Sequence, residues 1–316
     1  MSQRLGSVKQ ELQKLGKETL ATSLLLMKIT VPVIIITKIL EYGGVIDYLS
    51  MLLEPIMQLL GLPGACGVVW ATGIFTSLYG ALAVFAVIAP ALELTTLQVT
   101  VLGSILLIAH SLPIEITITK RAGAKILPIV VLRLGGALSY GVLLFTLCSY
   151  FQLWQEPALM LFEAPVTDPG LLGWARLQIV NLGLMFLVIL GILTVMRVLT
   201  VVGVISVLEC FLQPVLPWFG MSHRAAPLTV VGMLVGLGYG GALIIRETTA
   251  GNMSRQEVGN SLALMSLCHG LVEDTLLMMA WGGAVTGLLW GRLLFSLVVM
   301  AILVRLRQLF DGKKNG

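Results

Sequence analysis

The hydrophobic positions of this chain form long continuous runs and do not alternate with polar ones. Residues 21–40 form one such run, interrupted by Lys28 and Lys38. Residues 179–198 form another, which is uncharged before Arg197. A helix that crosses a bilayer needs about 20 predominantly apolar residues, whereas outer-membrane strands alternate in polarity over about ten residues. The pattern therefore predicts membrane-spanning helices and argues against a β-barrel.

The apolar runs form two sets of five predicted membrane crossings. The first set comprises residues 20–40, 45–62, 66–92, 96–120 and 125–150, and the second comprises residues 177–199, 201–219, 226–247, 258–280 and 285–306. The second crossing of each set is short and contains an internal glutamate and proline, so whether it fully crosses or lies at the interface stays open. The sequence thus predicts an all-α integral membrane protein of about ten transmembrane helices.

The two sets share a motif pattern at a constant separation along the chain, which we call the repeat spacing. His110, Glu115 and Gly123 of the first set correspond at this spacing to His269, Asp274 and Gly282 of the second. A shared histidine, acid and glycine at one spacing indicates a duplication. An odd number of crossings, five per copy, would turn the second copy upside down relative to the first. Inverted repeats with a site at their interface, often on interrupted helices, are a recurring architecture of secondary transporters.

Positive charges set the orientation of these crossings. Lys120, Arg121 and Lys125 lie between the fourth and fifth crossings, and five crossings place them on the side of the basic N-terminus. Short loops rich in Lys and Arg face the cytoplasm, so we expect both termini to be cytoplasmic, in the cytoplasmic (inner) membrane of a bacterium. The predicted parts are a cytoplasmic amphipathic helix, the first five-helix repeat, a connector, the second five-helix repeat and a cytoplasmic tail, at residues 1–20, 21–150, 151–176, 177–310 and 311–316.

Composition agrees with a lipid environment and excludes several functions. Only 11% of the residues are charged and the mean hydropathy is +0.98, whereas a soluble domain has about 25% charged residues. The net charge of +4 lies at termini and loops without a basic stripe, so nucleic acid is not an expected partner. The four cysteines lie apart without a CxxC pair, and no cofactor is expected. No HExxH sequence is present, and we expect no enzymatic activity.

Polar residues inside the fourth crossings are the main candidates for a binding site. Each has a histidine followed by an acid, namely His110 and Glu115 in the first copy and His269, Glu273 and Asp274 in the second. His269 and Glu273 are four residues apart and are expected to share one helix face, while Pro113 bends or breaks the first helix. Ionisable residues inside a membrane are costly and usually functional. We interpret them as a paired site that binds a cation, relays protons or hydrogen-bonds a polar solute; the alternative is that they only lock helix packing.

Glycine-rich stretches in the third crossings are the second candidate. Residues 73–80 and 232–241 carry glycine at a density that weakens a helix and lets a ligand approach the backbone. They are interpreted either as unwound, substrate-facing segments or as small-residue packing faces. The predicted substrate-binding residues of both elements are Ser77, Tyr79, Gly80, His110, Glu115, Gly238, Tyr239, Gly240, His269, Glu273 and Asp274. No metal ligand set is assigned.

The stretches at residues 74–83, 110–115 and 269–276 resemble the nucleoside-recognition (Gate) domain family. That family includes spore maturation proteins A and B, parts of the ferrous iron transporter B membrane domain and the concentrative nucleoside transporters. The resemblance implies a helical membrane protein, and the family name implies nucleosides, although its members differ in cargo. The GTPase part of the iron transporter has no counterpart here, since no GxxxxGKS/T sequence occurs.

The sequence thus predicts an inner-membrane secondary transporter of a small polar solute, with a nucleoside as one candidate and H⁺ or Na⁺ as the coupling ion. A divalent metal-ion permease is the first alternative, because His with carboxylates suits Zn²⁺ or Fe²⁺. A non-transporting membrane scaffold or sensor partner is the second. The expected partners are the lipid bilayer and a small polar solute or cation, and association of identical chains stays open.

Overall fold

The computed structural model describes residues 34–160 and 170–312 continuously, together with isolated positions at 16–17, 20, 24 and 31–32. Most of the predicted cytoplasmic helix at residues 1–20 and much of the first predicted crossing lie outside the described residues. Residues 161–169 of the connector and residues 313–316 of the tail also lie outside them. Where the connector was predicted to end at residue 176, a helix already begins at Leu171.

The described chain is helical almost throughout. Residues 34–42 are helical, and thirteen further α-helices follow within the described ranges, namely α1 (Val45–Leu59), α2 (Ala65–Phe75), α3 (Leu78–Ile88), α4 (Thr96–Ile108), α5 (Leu112–Arg121), α6 (Ile126–Tyr150), α7 (Leu171–Val201), α8 (Val204–Leu212), α9 (Ala225–Val235), α10 (Leu237–Thr249), α11 (Arg255–Cys268), α12 (Glu273–Ala280) and α13 (Arg292–Gly312). A π-helical turn at Thr286–Gly291 leads into α13. Extended residues pair only at an isolated bridge between Thr95 and Pro157 in this part of the chain.

Five described segments are long and apolar enough to cross a membrane, namely Thr96–Arg121, Ile126–Tyr150, Ala175–Val201, Arg255–Ala280 and Thr286–Leu309. Two of them combine two helices, because α4 continues into α5 and α11 into α12 after a short break. The prediction of an all-helical membrane protein is confirmed at this level. The ten-crossing arrangement is not confirmed.

The third predicted crossing of the first copy is folded back on itself. Only Thr76 and Ser77 separate α2 from α3, and the Ser77 hydroxyl begins α3 by accepting a hydrogen bond from the Gly80 amide at 3.1 Å. A Cβ atom on Gly73 would lie 3.2 Å from the Cβ atom of Ala81, whereas eight residues of a straight helix span about 12 Å. The chain therefore reverses its direction between α2 and α3.

The second copy reverses at the corresponding place. Gly236, with φ of +113°, lies alone between α9 and α10, and glycine readily adopts this backbone conformation. A Cβ atom on Gly240 would lie 3.1 Å from the amide nitrogen of Gly232 in the preceding helix. The prediction that residues 66–92 and 226–247 each form one crossing is therefore wrong. Each is a hairpin of two short helices, with its turn at a capping serine or a glycine.

Local backbone features recur at the same repeat spacing as the motifs. Left-handed glycines occur in three corresponding pairs, which are Gly44 and Gly203, Gly61 and Gly220, and Gly123 and Gly282. Capping boxes begin α4 and α11 at corresponding positions, at Thr95 with Gln98 and at Ser254 with Glu257. Because such turns and caps decide where helices start and end, both halves are cut into helices at matching positions.

Helices α4 and α11 form the centre of the described structure. In their segments, 67% and 72% of the most apolar stretch is buried, compared with none of it in Ala175–Val201. Helix α4 packs against α6, and α11 packs against α4, α6 and α13. The breaks that end α4 and α11 therefore lie inside the bundle, away from its lipid-facing surface.

Candidate functional site

The breaks after α4 and α11 are each held by a hairpin. The chain leaves α4 at Ala109, and the Ser111 amide donates to the carbonyl oxygen of Gly73 in α2 at 2.8 Å. After α11, the Leu271 amide donates to the carbonyl oxygen of Met233 in α9 at the same distance. A helix end leaves backbone donors and acceptors without partners, and the hairpins satisfy some of them. The predicted interruption at His110 and His269 is thus present.

The two histidines of the breaks meet at the centre. The Nε2 atoms of His110 and His269 are 3.3 Å apart, and both side chains are buried. On the other ring nitrogen, His110 Nδ1 lies 2.8 Å from the carbonyl oxygen of Leu106 and His269 Nδ1 lies 3.0 Å from that of Met265. A carbonyl oxygen only accepts hydrogen bonds, so each Nδ1 carries a hydrogen. When both rings are neutral, both Nε2 atoms are acceptors that face each other.

Glu115 pairs with the histidine of the other half. Its Oε1 atom is 3.4 Å from His269 Nε2, and its Oε2 atom forms an ion pair with Nη1 of Arg133. Sequence spacing predicts that His269 and Glu273 share one helix face, and this prediction is wrong. His269 ends α11 with an extended backbone and Glu273 begins α12, so the two residues do not share a continuous helix face.

Asp274, the counterpart of Glu115, completes the central cluster. One ligand atom from each of His110, His269 and Asp274 lies within 4.8 Å of the other two. The backbone amide of Asp274 donates to the carbonyl oxygen of Gly270 at 3.0 Å. Asp274 therefore belongs to the second break, while its carboxylate lies near histidines from both halves.

Two buried arginines, which sequence reasoning missed, support the breaks. Arg133 in α6 and Arg292 at the start of α13 are fully buried, and they correspond to each other at the repeat spacing. Arg133 Nη2 donates to the carbonyl oxygen of His110 at 2.9 Å, and Arg292 Nη1 donates to that of His269 at 3.4 Å. Each arginine thus satisfies the carbonyl group at one helix break. A lone charge inside a long apolar run, repeated at the motif spacing, is the signal that would have found them.

The predicted residues of the hairpins divide between the site and helix packing. Tyr79 is half-buried, and its hydroxyl faces the carboxylate of Glu273. Ser77 caps α3, and Gly80 is buried against Thr76. In the second hairpin, Gly240 contacts Gly232 and Met265, whereas Gly238 and Tyr239 are described only as part of the backbone of α10. Tyr79 is therefore the hairpin residue that the described structure brings to the acids of the break.

Comparison with known proteins agrees with the resemblance seen in the motifs. The chain is 26% identical over 286 residues to the uncharacterized membrane protein YvoD of Bacillus subtilis (strain 168), which covers 89% of this chain and 90% of that protein. No solved structure matches the chain. The family described as Gate, nucleoside recognition, matches residues 23–125, which include α1 to α4 and the break with His110 and Glu115. Residues 23–125 are therefore similar to the Gate (nucleoside recognition) family.

Proposed function

We propose that the chain is a secondary transporter of the bacterial cytoplasmic membrane that carries a small polar solute or cation through the centre formed by His110 and His269. The observation that supports this most is the meeting of two interrupted membrane helices at a buried histidine pair. Interrupted helices bring polar backbone and side-chain groups to membrane depth, where transporters bind their cargo. Ionisable residues kept at such a position are costly unless they serve a function.

Because the hairpins reverse the chain, the proposed transporter has three membrane crossings in each half. The first crossing is predicted at residues 20–40, and the described segments Thr96–Arg121 and Ile126–Tyr150 supply two more. Helix α1 and the hairpin α2–α3 then begin and end on one side of the membrane. Three is again an odd number, so the second half is still inverted, and both termini and the Lys120–Lys125 cluster stay cytoplasmic.

An inverted pair of halves gives a physical route for transport. His110 and Glu115 belong to one half and His269 and Asp274 to the other, and they are joined by the contacts His110–His269 and His269–Glu115. A rocking movement of one half against the other would open this seam to alternate sides. Protonation of the cluster or binding of Na⁺ at its carboxylates would couple the movement to an ion gradient.

The size of the centre bears on the cargo. The histidine rings are in direct contact, with Nε2 atoms 3.3 Å apart, so a nucleoside would enter only after the halves separate. A single ion requires much less movement. The Gate family description names nucleosides, and a cargo panel must therefore contain nucleosides and ions together.

The test is binding and uptake by the full chain. A ligand at about 100-fold its dissociation constant stabilises the protein by about 2.7 kcal/mol, so purified protein is heated with nucleosides, bases and cations in turn. Any stabilising compound is then offered to proteoliposomes under an imposed pH or Na⁺ gradient. We expect gradient-driven uptake that His110→Gln and His269→Gln remove and that His223→Gln, at the exposed third histidine, retains. If no compound is taken up and both variants are merely less stable, the histidines hold the bundle together and the scaffold function replaces this proposal.

A further inference from the structure

The facing histidines favour a positive charge between them when both rings are neutral. Both Nδ1 atoms are committed to backbone carbonyl oxygens of their own helices, at 2.8 Å and 3.0 Å. In two neutral rings, both Nε2 atoms then point lone pairs at each other across 3.3 Å. Two such acceptors repel at this distance, because neither can donate a hydrogen bond to the other. The arrangement becomes favourable when a proton or a metal ion lies between them.

The spacing matches a metal ion with tetrahedral ligands. Two ligand atoms at about 2.0–2.1 Å from Zn²⁺, separated by the tetrahedral angle, are about 3.3 Å from each other. The distance between the two Nε2 atoms is 3.3 Å, and that from His269 Nε2 to Glu115 Oε1 is 3.4 Å. The Asp274 ligand atom lies within 4.8 Å of both histidine ligand atoms. His110, His269 and Asp274 thus form one group of possible ligands, and Glu115 lies beside it through its contact with His269.

The groups around the cluster resemble the outer shell of metal sites. A metal-bound histidine usually donates its other ring N–H to a carbonyl oxygen or carboxylate, which fixes the ring and its tautomer. His110 and His269 both do so within their own helices. The carboxylate of Glu115 is likewise held by Arg133. These contacts orient the donors before any ion arrives.

We propose that His110, His269 and Asp274, with Glu115 as the fourth donor, bind one divalent first-row transition-metal ion, and that this ion is the cargo of the transporter. Imidazole with carboxylate suits Zn²⁺, Fe²⁺ and their neighbours, whereas Ca²⁺ and Mg²⁺ prefer oxygen donors alone. Only the role as cargo rests on the proposed function. The binding site itself stands on the donor geometry.

Binding is measured on full-length protein without a histidine tag, stripped of metal with a chelator. Titration calorimetry with Zn²⁺ is expected to give one ion per chain. His110→Gln and His269→Gln each remove a donor, so they should weaken binding by more than about 100-fold, the upper end for loss of an outer-shell partner. Asp274→Asn should weaken it by at least about tenfold. His223→Gln, at the chain's third histidine, is the matched control and should leave affinity unchanged.

A spectroscopic measurement on wild-type protein guards against variants that fail to fold. Co²⁺ in place of Zn²⁺ should give the intense visible absorption of a tetrahedral site with nitrogen donors, and Zn²⁺ but not Mg²⁺ should abolish it.

Absence of stoichiometric binding, a weak octahedral spectrum, or unchanged affinity in His269→Gln would overturn the site and leave a shared proton between the rings. Zn²⁺ binding without Zn²⁺ uptake by proteoliposomes keeps the site and refutes the metal ion as cargo. Nucleoside uptake by a chain that binds no metal refutes the site and keeps the transporter.

Discussion

At the scale of single residues, the sequence predicted the histidines and acids of the centre but not their partners. The polar residues of the fourth crossings include His110 and His269, each followed by an acid. Arg133 lies in the next helix and contacts the site only through folding. The pairing of Glu115 with His269 could not be predicted either, because spacing along one helix does not show which half of the protein a side chain faces.

The ion pair of Arg133 with Glu115 gives a prediction at this scale. Removing one partner of a buried pair leaves an uncompensated charge and costs about 3–5 kcal/mol, whereas replacing both with apolar residues costs much less. Glu115→Leu should therefore lower the free energy of unfolding by about 3–5 kcal/mol. The double variant Glu115→Leu with Arg133→Leu should recover much of that loss.

The measurement is the unfolding midpoint of both variants in detergent. Arg246 and Glu247 form an ion pair at 3.0 Å at the surface, with Arg246 exposed and Glu247 partly buried, and surface pairs contribute about 0–1 kcal/mol. Arg246→Gln should therefore change the midpoint little. A double variant that is less stable than Glu115→Leu alone would show that Arg133 acts mainly through the carbonyl oxygen of His110.

At the scale of elements, the breaks in the fourth crossings were predictable and the hairpins were not. Pro113 and the buried polar residues signalled the breaks. Residues 66–92 are long enough for a full crossing, and apolar length cannot distinguish one straight helix from two that fold back. The difference depends on one backbone reversal, at Ser77 in one half and at Gly236 in the other.

Close contact of the two hairpin helices gives a prediction for Gly240. A Cβ atom there would lie 3.1 Å from the amide nitrogen of Gly232 and 2.7 Å from Met265 Cε. Gly240→Ala must push α9 away from α10, and overpacking of this kind costs about 1–3 kcal/mol. The displaced α9 holds the second break through Met233, so cargo binding should weaken as well.

Gly259→Ala is the matched control for this change. Gly259 lies inside α11, and a Cβ atom at this position would have no neighbour within 4 Å. Alanine favours a helix over glycine by about 0.5–1 kcal/mol, so this variant should unfold at an equal or higher temperature. Equal stability of both variants would contradict the tight hairpin.

At the scale of the whole molecule, the repeat was visible in the sequence because the candidate site residues and the residues that start and end helices recur at the same spacing. The His-acid motifs, the left-handed glycines and the helix caps all recur at the repeat spacing. The number of crossings could not be obtained in the same way. Three crossings per half agree with the positive-inside tendency as well as five do. Both numbers are odd, and the tendency depends only on the side of the membrane on which each loop lies.

The loop that contains His223 decides between the two topologies. With ten crossings this loop lies outside the cell, because α8 then crosses the membrane. With six crossings α8 and the hairpin α9–α10 stay on the cytoplasmic side, and His223 lies inside. We expect the second result because α8 has only 9 residues, about 14 Å of helix at 1.5 Å per residue, against a hydrocarbon core of about 30 Å.

Thiol labelling of intact cells measures this directly. In a Cys210→Ser background, which removes the exposed native cysteine, single cysteines are placed at His223, Lys125 and Ala284. Both topologies put Lys125 inside and Ala284, its counterpart at the repeat spacing, outside, so these two positions calibrate the membrane-impermeant reagent. His223→Cys should react only after permeabilisation, as Lys125→Cys does. Reaction of His223→Cys in intact cells would restore the ten-crossing topology. The hairpins would then have to span the bilayer, which contradicts the proposed mechanism, because that mechanism keeps each hairpin on one side of the membrane.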